Sequence, residues 1–157
     1  MYPGAFDPVH LGHVDIATRA AAIFDLLIVA VFDRPNKPLT FTGEQRIDLF
    51  RRAMERVPNV RVLGYDGLTV DFARVHGARF LVRGLRATAD FEYEHQLASM
   101  NRYLAPGIDS VFLTTSAKHA YLSSSLIKEV AAQGAPLDDL VPGPVAKALR
   151  RHFRLEP

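Results

Sequence analysis

Two histidines, His10 and His13, stand on either side of Leu11 and Gly12 after a turn rich in Pro and Gly. The pair Asp7-Pro8 predicts that a helix begins just before His10, because Asp caps backbone N–H groups and Pro suits the first helical position. A spacing of three residues then projects both rings from nearly one face of the first turn. Unpaired N–H groups and a partial positive charge make a helix N-terminus an anion site, so this stretch predicts phosphate binding.

The two histidines have two other interpretations. A single His near a helix start is usually a surface or capping residue, but two of them flanking a glycine after such a turn favour function. Zinc ligands on a helix usually come with further Cys, His or carboxylate partners. No such cluster is evident near His10 and His13, so no metal ligand is predicted.

Cationic and hydroxyl side chains follow other predicted strands. Lys37, in a loop bounded by Pro35 and Pro38, is either a solvated lysine or a phosphate contact. Arg83 comes out of a buried strand and needs an anion or a carbonyl as partner, because an unpaired buried charge is costly. Arg86 lies one tight turn later. The run 123–125 contains three serines, and since one suffices to cap a helix, the others predict a second phosphate cradle.

The elements that must position these residues alternate along the chain. Apolar and turn patterns predict strands at 1–3, 26–32, 60–65, 79–82 and 110–115, and helices to 24 and at 42–57, 68–76, 90–104, 123–133 and 142–153. The start of the 90–104 helix carries Asp90, Glu92 and Glu94, which the helix dipole alone could explain. Alternation of this kind predicts an α/β fold, a Rossmann-like, doubly wound, five-stranded parallel sheet with helices on both faces. Because ligands bind outside the carboxyl ends of such strands, the candidate residues are expected to meet at one edge.

Bulk composition narrows the class of protein. The 157 residues, 48% of them apolar, predict a single domain spanning 1–157 with a substantial core. There is no cysteine, which excludes disulfides and thiolate chemistry and agrees with a reducing compartment. The longest apolar run, 26–32, is too short to span a bilayer, and no signal peptide is expected before Tyr2. A formal charge of +2 suits an anionic small molecule as well as a nucleic acid.

Taken in order, several segments resemble the motifs of the phosphopantetheine adenylyltransferase family, within the nucleotidyltransferase superfamily that carries an H-x-G-H motif. These segments are residues 4–8, 10–13, 83–86, 90–94, 100–102 and 123–130. The resemblance implies transfer of the adenylyl group of ATP to 4'-phosphopantetheine, which yields dephospho-coenzyme A and pyrophosphate with Mg²⁺ assisting. It also implies a cytoplasmic homohexamer with no nucleic-acid or membrane partner.

The resemblance implies roles for individual residues. His13 is the implied transition-state stabiliser, with Lys37 and Arg86 as catalytic partners. The implied ATP-binding residues are Ala5, Phe6, His10, His13, Gly84, Leu85, Arg86, Glu94, His119, Ala120, Tyr121, Leu122, Ser123, Ser124 and Ser125. The implied acceptor-binding residues are Ala5, Lys37, Thr69 and Arg83.

Three features depart from the family pattern. Ala5 replaces a Thr or Ser whose hydroxyl contacts phosphate, a hydrogen bond worth roughly 1.5 to 3 kcal/mol. His10 stands where Thr is more frequent, and only residues 1–3 supply the central strand, either a trimmed or a stunted one. The alternatives are another H-x-G-H enzyme, such as a nicotinate-nucleotide adenylyltransferase, or a nucleotide-binding regulator without catalysis.

Overall fold

Strands and helices alternate along the chain in the computed structural model, which describes residues 1–36, 38–86 and 88–155. The elements are β1 (Tyr2–Gly4), α1 (Leu11–Ile23), β2 (Leu27–Phe32), α2 (Gly43–Ala53), β3 (Val60–Tyr65), α3 (Thr69–Val75), β4 (Phe80–Leu85), α4 (Thr88–Leu104), β5 (Asp109–Thr114), a 3₁₀ helix (Ala117–His119), α5 (Ser124–Ala132) and α6 (Gly143–His152). The predicted α/β class and order of elements are confirmed. Within the described ranges, no helix has both the length and the apolar character needed to cross a membrane.

The strands are all parallel but form two sheets. β1, β2 and β3 make one, in which Val29 of β2 pairs with Tyr2 and Val62, and β4 pairs with β5 in the other. β1 also lies beside β4, where the Val82 N–H donates to the Met1 carbonyl at 2.7 Å. The Met1 amino group also donates to the Phe80 carbonyl at 2.7 Å, so bonds at Met1 join β1 to β4. The predicted parallel α/β architecture is therefore confirmed, with ladders of three and two strands that meet at Met1.

Helices cover both faces, as predicted, and β2 shows why. Alternate residues of a strand point to opposite faces. Leu27, Val29 and Val31 belong to a large buried cluster with residues of α1, α2, α5 and α6. Ile28 and Ala30 belong to a second cluster with residues of α3 and the chain just after α4. Burial on both faces explains the unbroken apolar run of this strand.

Two boundaries at the carboxyl edge differ from expectation. α1 begins at Leu11 with His10 as its N-cap, so Asp7-Pro8, joined by a cis peptide bond, precedes the helix by a full turn. Strand β4 continues through Leu85, so Arg83, Gly84 and Leu85 belong to the strand. Both differences bring backbone of the predicted site closer to the sheet.

Candidate active site

A cavity of about 300 Å³ opens at the carboxyl ends of β1 and β4, against the first turn of α1. Its lining residues are Tyr2, Pro3, Gly4, Ala5, Phe6, His10, Gly12, His13, Ile16, Arg83, Gly84, Arg86, Glu94, Thr115 and Ser124. Nine of these were singled out from the sequence as catalytic, ATP-binding or acceptor-binding positions: Ala5, Phe6, His10, His13, Arg83, Gly84, Arg86, Glu94 and Ser124. The structure thus brings residues 80 to 120 positions apart into one cleft.

His10 and His13 cap α1 reciprocally. The His13 backbone N–H donates to Nδ1 of His10 at 3.3 Å, and the His10 N–H donates to Nδ1 of His13 at 3.2 Å. The two rings stack with centroids 3.5 Å apart, and a Cβ on Gly12 would lie 3.0 Å from the His10 ring. Because each Nδ1 accepts, the ring proton lies on Nε2, the atom that can donate to an anion. Both rings line the cavity.

His10 is only 4% exposed. Burial lowers its pKa to about 3, and the positive charges of Arg86 and His119 act in the same direction. A histidine held neutral at ordinary pH is a hydrogen-bond donor with a fixed tautomer and no net charge. His10 therefore serves this site as a cap and as a neutral donor.

Arg83 is paired inside the cleft. Its Nε and Nη2 donate to the two carboxylate oxygens of Glu94 at 2.7 and 2.6 Å, and its Nη1 donates to the Pro3 carbonyl at 2.8 Å. Burial alone would lower the pKa of this guanidinium, but the hydrogen bonds and charge of Glu94 outweigh burial and raise it. The predicted need for an anion or carbonyl partner is met by both. Glu94 contacts Arg83 directly, a role that its sequence position did not indicate.

A second, smaller cavity of about 170 Å³ lies on the other side of Arg83. Its lining is more apolar and consists of Pro3, Gly4, Ala5, Phe32, Tyr65, Thr69, Leu81, Arg83, Leu97 and Asn101. Thr69, predicted from the resemblance to bind the acceptor, accepts or donates a hydrogen bond at 2.9 Å with the Tyr65 hydroxyl. Pro3, Gly4, Ala5 and Arg83 line both cavities, so the two spaces share one wall.

Arg86 and the serine run reach the cleft by different contacts. Arg86 pairs with Asp90 and donates from Nη1 to the Leu122 carbonyl at 3.1 Å. Ser123 caps α5, whereas Ser124 donates from Oγ to the Pro8 carbonyl at 2.9 Å and lines the cavity.

The remaining predicted positions do not line the cavity in the described part of the chain: Leu85, His119, Ala120, Tyr121, Leu122, Ser123 and Ser125. Lys37 lies outside the described residues.

Asp7 performs a different task from the predicted one. It does not cap α1, because its two carboxylate oxygens accept from the backbone N–H groups of Thr40 and Phe41 at 2.8 and 2.9 Å. Lys128 of α5 lies 3.2 Å from the same carboxylate, which is wholly buried. Asp7 thereby ties the loop that follows β1 to the loop that precedes α2.

Arg46 was not predicted from the sequence. It is 0% exposed, and its guanidinium donates to four carbonyls, those of Ala5 at 2.8 Å, Phe32 at 2.7 Å, Asp33 at 2.9 Å and Phe41 at 3.2 Å. Burial lowers its pKa, and the Asp7 and Asp33 carboxylates oppose that effect. A signal did exist, because Leu49 and Phe50 follow at three and four residues and put this Arg on the apolar face of α2.

Comparison with known proteins decides the family. The cytidylyltransferase-like family model matches residues 1–130. Curated relatives named phosphopantetheine adenylyltransferase are similar over nearly their whole length. The one from Roseiflexus sp. (strain RS-1) is 51% identical over 98% of this chain and 96% of its own, and the one from Desulforudis audaxviator is 50% identical over 98% and 94%. The chain belongs to the phosphopantetheine adenylyltransferase family.

Among solved structures, the nicotinic acid mononucleotide adenylyltransferase of Plasmodium falciparum, complexed with NaAD, has a similar fold. Its TM-score is 0.68 over 98% of this chain and 94% of that one, at 13% sequence identity. At such low identity the likeness is one of fold alone. It agrees with the α/β architecture described above.

Proposed function

We propose that this chain transfers the adenylyl group of ATP to 4'-phosphopantetheine and releases pyrophosphate, a step of coenzyme A biosynthesis. The observation that carries the proposal is the identity of about 50%, over nearly the full chain, to relatives named for this activity. A nicotinate-nucleotide adenylyltransferase is not favoured, because the neighbour of that type is only 13% identical. A regulator without catalysis is not favoured either, since the close relatives are named as enzymes.

The two cavities suit a reaction between two phosphorylated ligands. We assign ATP to the larger, more polar cavity and the acceptor to the smaller one beside Tyr65 and Thr69. The phosphates would then meet at Ala5 and Arg83, the wall that both spaces share. In-line attack of the acceptor phosphate on the α-phosphate of ATP requires positioning and charge stabilisation, and no covalent enzyme intermediate.

Transition-state charge would be spread over donors that the cleft supplies. The Nε2–H of His13 is the proposed donor to the α-phosphate, with Arg86 as a further cation. Lys37, outside the described residues, is proposed as a catalytic cation from the family resemblance. His10 would add a second, neutral Nε2–H donor, as its lowered pKa indicates. Phe6 contributes a backbone N–H in a left-handed conformation, with φ of 50°. A phosphate nucleophile is ionised near neutral pH, so no general base is required.

Magnesium is proposed to enter with ATP. Among the described residues no group of three or more His, Asp or Glu side chains is placed to hold a metal ion. Mg²⁺ usually keeps several waters and binds substrate phosphates, so a site without a protein cage fits this mode of delivery. When bound, the ion would neutralise charge on the phosphate oxygens. The chain's own part is to hold the two phosphates with His13, Arg83 and backbone N–H groups.

A homohexamer in the cytoplasm is proposed from the family. One surface supports self-association, because Tyr93, Met100 and Tyr103 are 66%, 55% and 82% exposed at helical spacing on α4. Exposed apolar side chains on one helix face mark an interaction surface. Multi-angle light scattering should give the mass of six chains, and a monomer would contradict the proposal.

An acceptor screen tests the activity. The protein is incubated with Mg-ATP and either 4'-phosphopantetheine or nicotinate mononucleotide, and released pyrophosphate is measured. We expect turnover with 4'-phosphopantetheine alone. Turnover with nicotinate mononucleotide but not with 4'-phosphopantetheine would overturn the assignment, and no turnover with either would favour a regulator.

His13→Ala tests the assigned chemistry. The variant should lose turnover while ATP binding, measured by calorimetry, stays largely intact. Asn59→Ala is the control, because Asn59 bonds the Ala21 and Phe24 carbonyls at the opposite edge of the sheet. Wild-type activity in His13→Ala would refute the role of His13.

A further inference from the structure

Arg46 makes more hydrogen bonds than any other buried charged side chain that the structure describes. Its four carbonyl partners belong to three segments that converge at the site: Ala5 after β1, Phe32 and Asp33 at the end of β2, and Phe41 before α2. A Cβ on Gly43 would clash with Oδ1 of Asp33. This glycine therefore lets α2 begin close enough to β2 for Arg46 to donate to the Asp33 carbonyl. The guanidinium thus fixes the backbone behind both cavities.

The contact with Ala5 sets the direction of one peptide group. In a planar trans peptide the carbonyl and the N–H point to opposite sides. Since Arg46 holds the Ala5 carbonyl in the interior at 2.8 Å, the N–H of Phe6 points the other way, where Ala5 and Phe6 line the larger cavity. No group in the described part of the chain accepts from this N–H.

The conformation of Phe6 requires such a restraint. Its φ of 50° lies in the left-handed region, where a bulky residue is rare because the conformation is strained. The Phe6 ring is wedged edge-on against Tyr2, His13 and Phe50, with centroids 5.2, 5.0 and 4.7 Å apart. Ring packing thus holds the Phe6 side chain, and the Arg46 guanidinium holds the Ala5 carbonyl on the other side of the strained peptide.

We propose that Arg46 is a positioning residue for adenylyl transfer, which locks the Ala5–Phe6 peptide so that the Phe6 N–H faces the reacting phosphate. The inference rests on the proposed function and adds to it a residue outside the cavity. It also explains how a site with Ala at position 5 retains a donor there. Lysine cannot replace Arg46 fully, because one ammonium has three donors at one atom whereas the guanidinium has five in a planar fork.

Two variants test the proposal by kinetics. Arg46→Met removes all four bonds, and Arg46→Lys keeps the charge and part of the bonding. We expect kcat to fall at least about tenfold in Arg46→Met and less in Arg46→Lys, since loss of an oxyanion donor costs about 10²- to 10³-fold in rate. Assays are run well below the Tm of each variant.

Asn59→Ala is the matched control, because it also removes two bonds from a side chain to carbonyls, away from the site. It should lower the Tm while leaving kcat and both KM values within about twofold of wild type. Folded Arg46→Met with wild-type kcat and KM values would reduce Arg46 to a structural residue and overturn the proposal.

A wild-type measurement remains decisive where a variant fails to fold. In ¹H–¹⁵N spectra titrated with ATP or inorganic pyrophosphate, the Phe6 amide proton should move downfield. The Arg46 guanidinium signals should shift with the same midpoint, because bonds at the two ends of one peptide polarise each other. An unshifted Phe6 amide, or a shifted Phe6 amide with unshifted Arg46, would overturn the proposal.

These titrations need no acceptor and no turnover. If the acceptor screen shows no turnover but the Phe6 and Arg46 signals shift with the same midpoint, only the proposed function is rejected. If 4'-phosphopantetheine is turned over but the Arg46 signals do not shift with the Phe6 amide, only the role of Arg46 is rejected.

Discussion

Acid should destabilise this protein through His10, and His10→Asn should remove that part of the sensitivity. The pKa of His10 is about 3 in the folded chain and 6.5 for an ordinary histidine. Between these values the unfolded chain binds a proton that the folded chain does not, so stability is lost as the pH falls below about 6.5. Asn suits the variant because it retains a side-chain acceptor at the N-cap of α1.

The magnitude follows from the two pKa values. At pH 5 the unfolded histidine is almost fully protonated, and the linkage contributes about 1.4 kcal/mol for each of roughly 1.5 pH units. At pH 7 the contribution is close to zero. The wild type should therefore lose about 2 kcal/mol more than His10→Asn between pH 7 and pH 5. This figure hardly changes if the folded pKa is 4 rather than 3, because both lie well below pH 5.

Urea unfolding at both pH values measures the difference. Comparing wild type with variant cancels the contribution of groups that both proteins share, and His76→Asn serves as the control because His76 is exposed on the far end of α3. Equal losses in wild type and His10→Asn, within about 0.5 kcal/mol, would refute a neutral buried His10.

Three further outcomes are expected. Lys128→Met removes the ammonium that pairs with the buried Asp7 carboxylate and should lower the free energy of unfolding by about 2 kcal/mol in urea titrations. Asp7→Asn/Lys128→Met should lose less stability than the sum of the two single variants, and strict additivity would contradict this. Glu94→Gln removes the carboxylate that pairs with Arg83, so pyrophosphate binding, measured by calorimetry, should tighten several-fold. Weaker binding would mean that Glu94 contributes more by orienting the Arg83 guanidinium than by balancing its charge. Ala5→Thr should lower the acceptor KM or raise kcat, and unchanged kinetics would mean that backbone N–H groups already compensate.

The sequence patterns correctly predicted the features that depend on residues close together along the chain. The spacing of His10 and His13 placed both rings on one face, and the helix predicted from residue 42 begins with Thr42 as its N-cap, as observed. Alternation of strands and helices was enough to gather most candidate residues at one edge. These features need no knowledge of which segments meet in space.

Errors arose where the partner is distant in sequence. Asp7 was assigned to the helix beside it, yet Thr40, Phe41 and Lys128 complete its bonding. Arg46 of α2 was not predicted, because its four carbonyl partners come together only when three loops converge.

The position of Arg83 in the wall between the two cavities couples whatever occupies them. One guanidinium, already sharing its donors between Glu94 and the Pro3 carbonyl, has few left to offer. A ligand that engages Arg83 from one side changes the donors and the field presented to the other. Thermodynamic reciprocity then requires each ligand to alter the affinity of its neighbour by the same factor, so a single side chain couples the affinities of the two ligands.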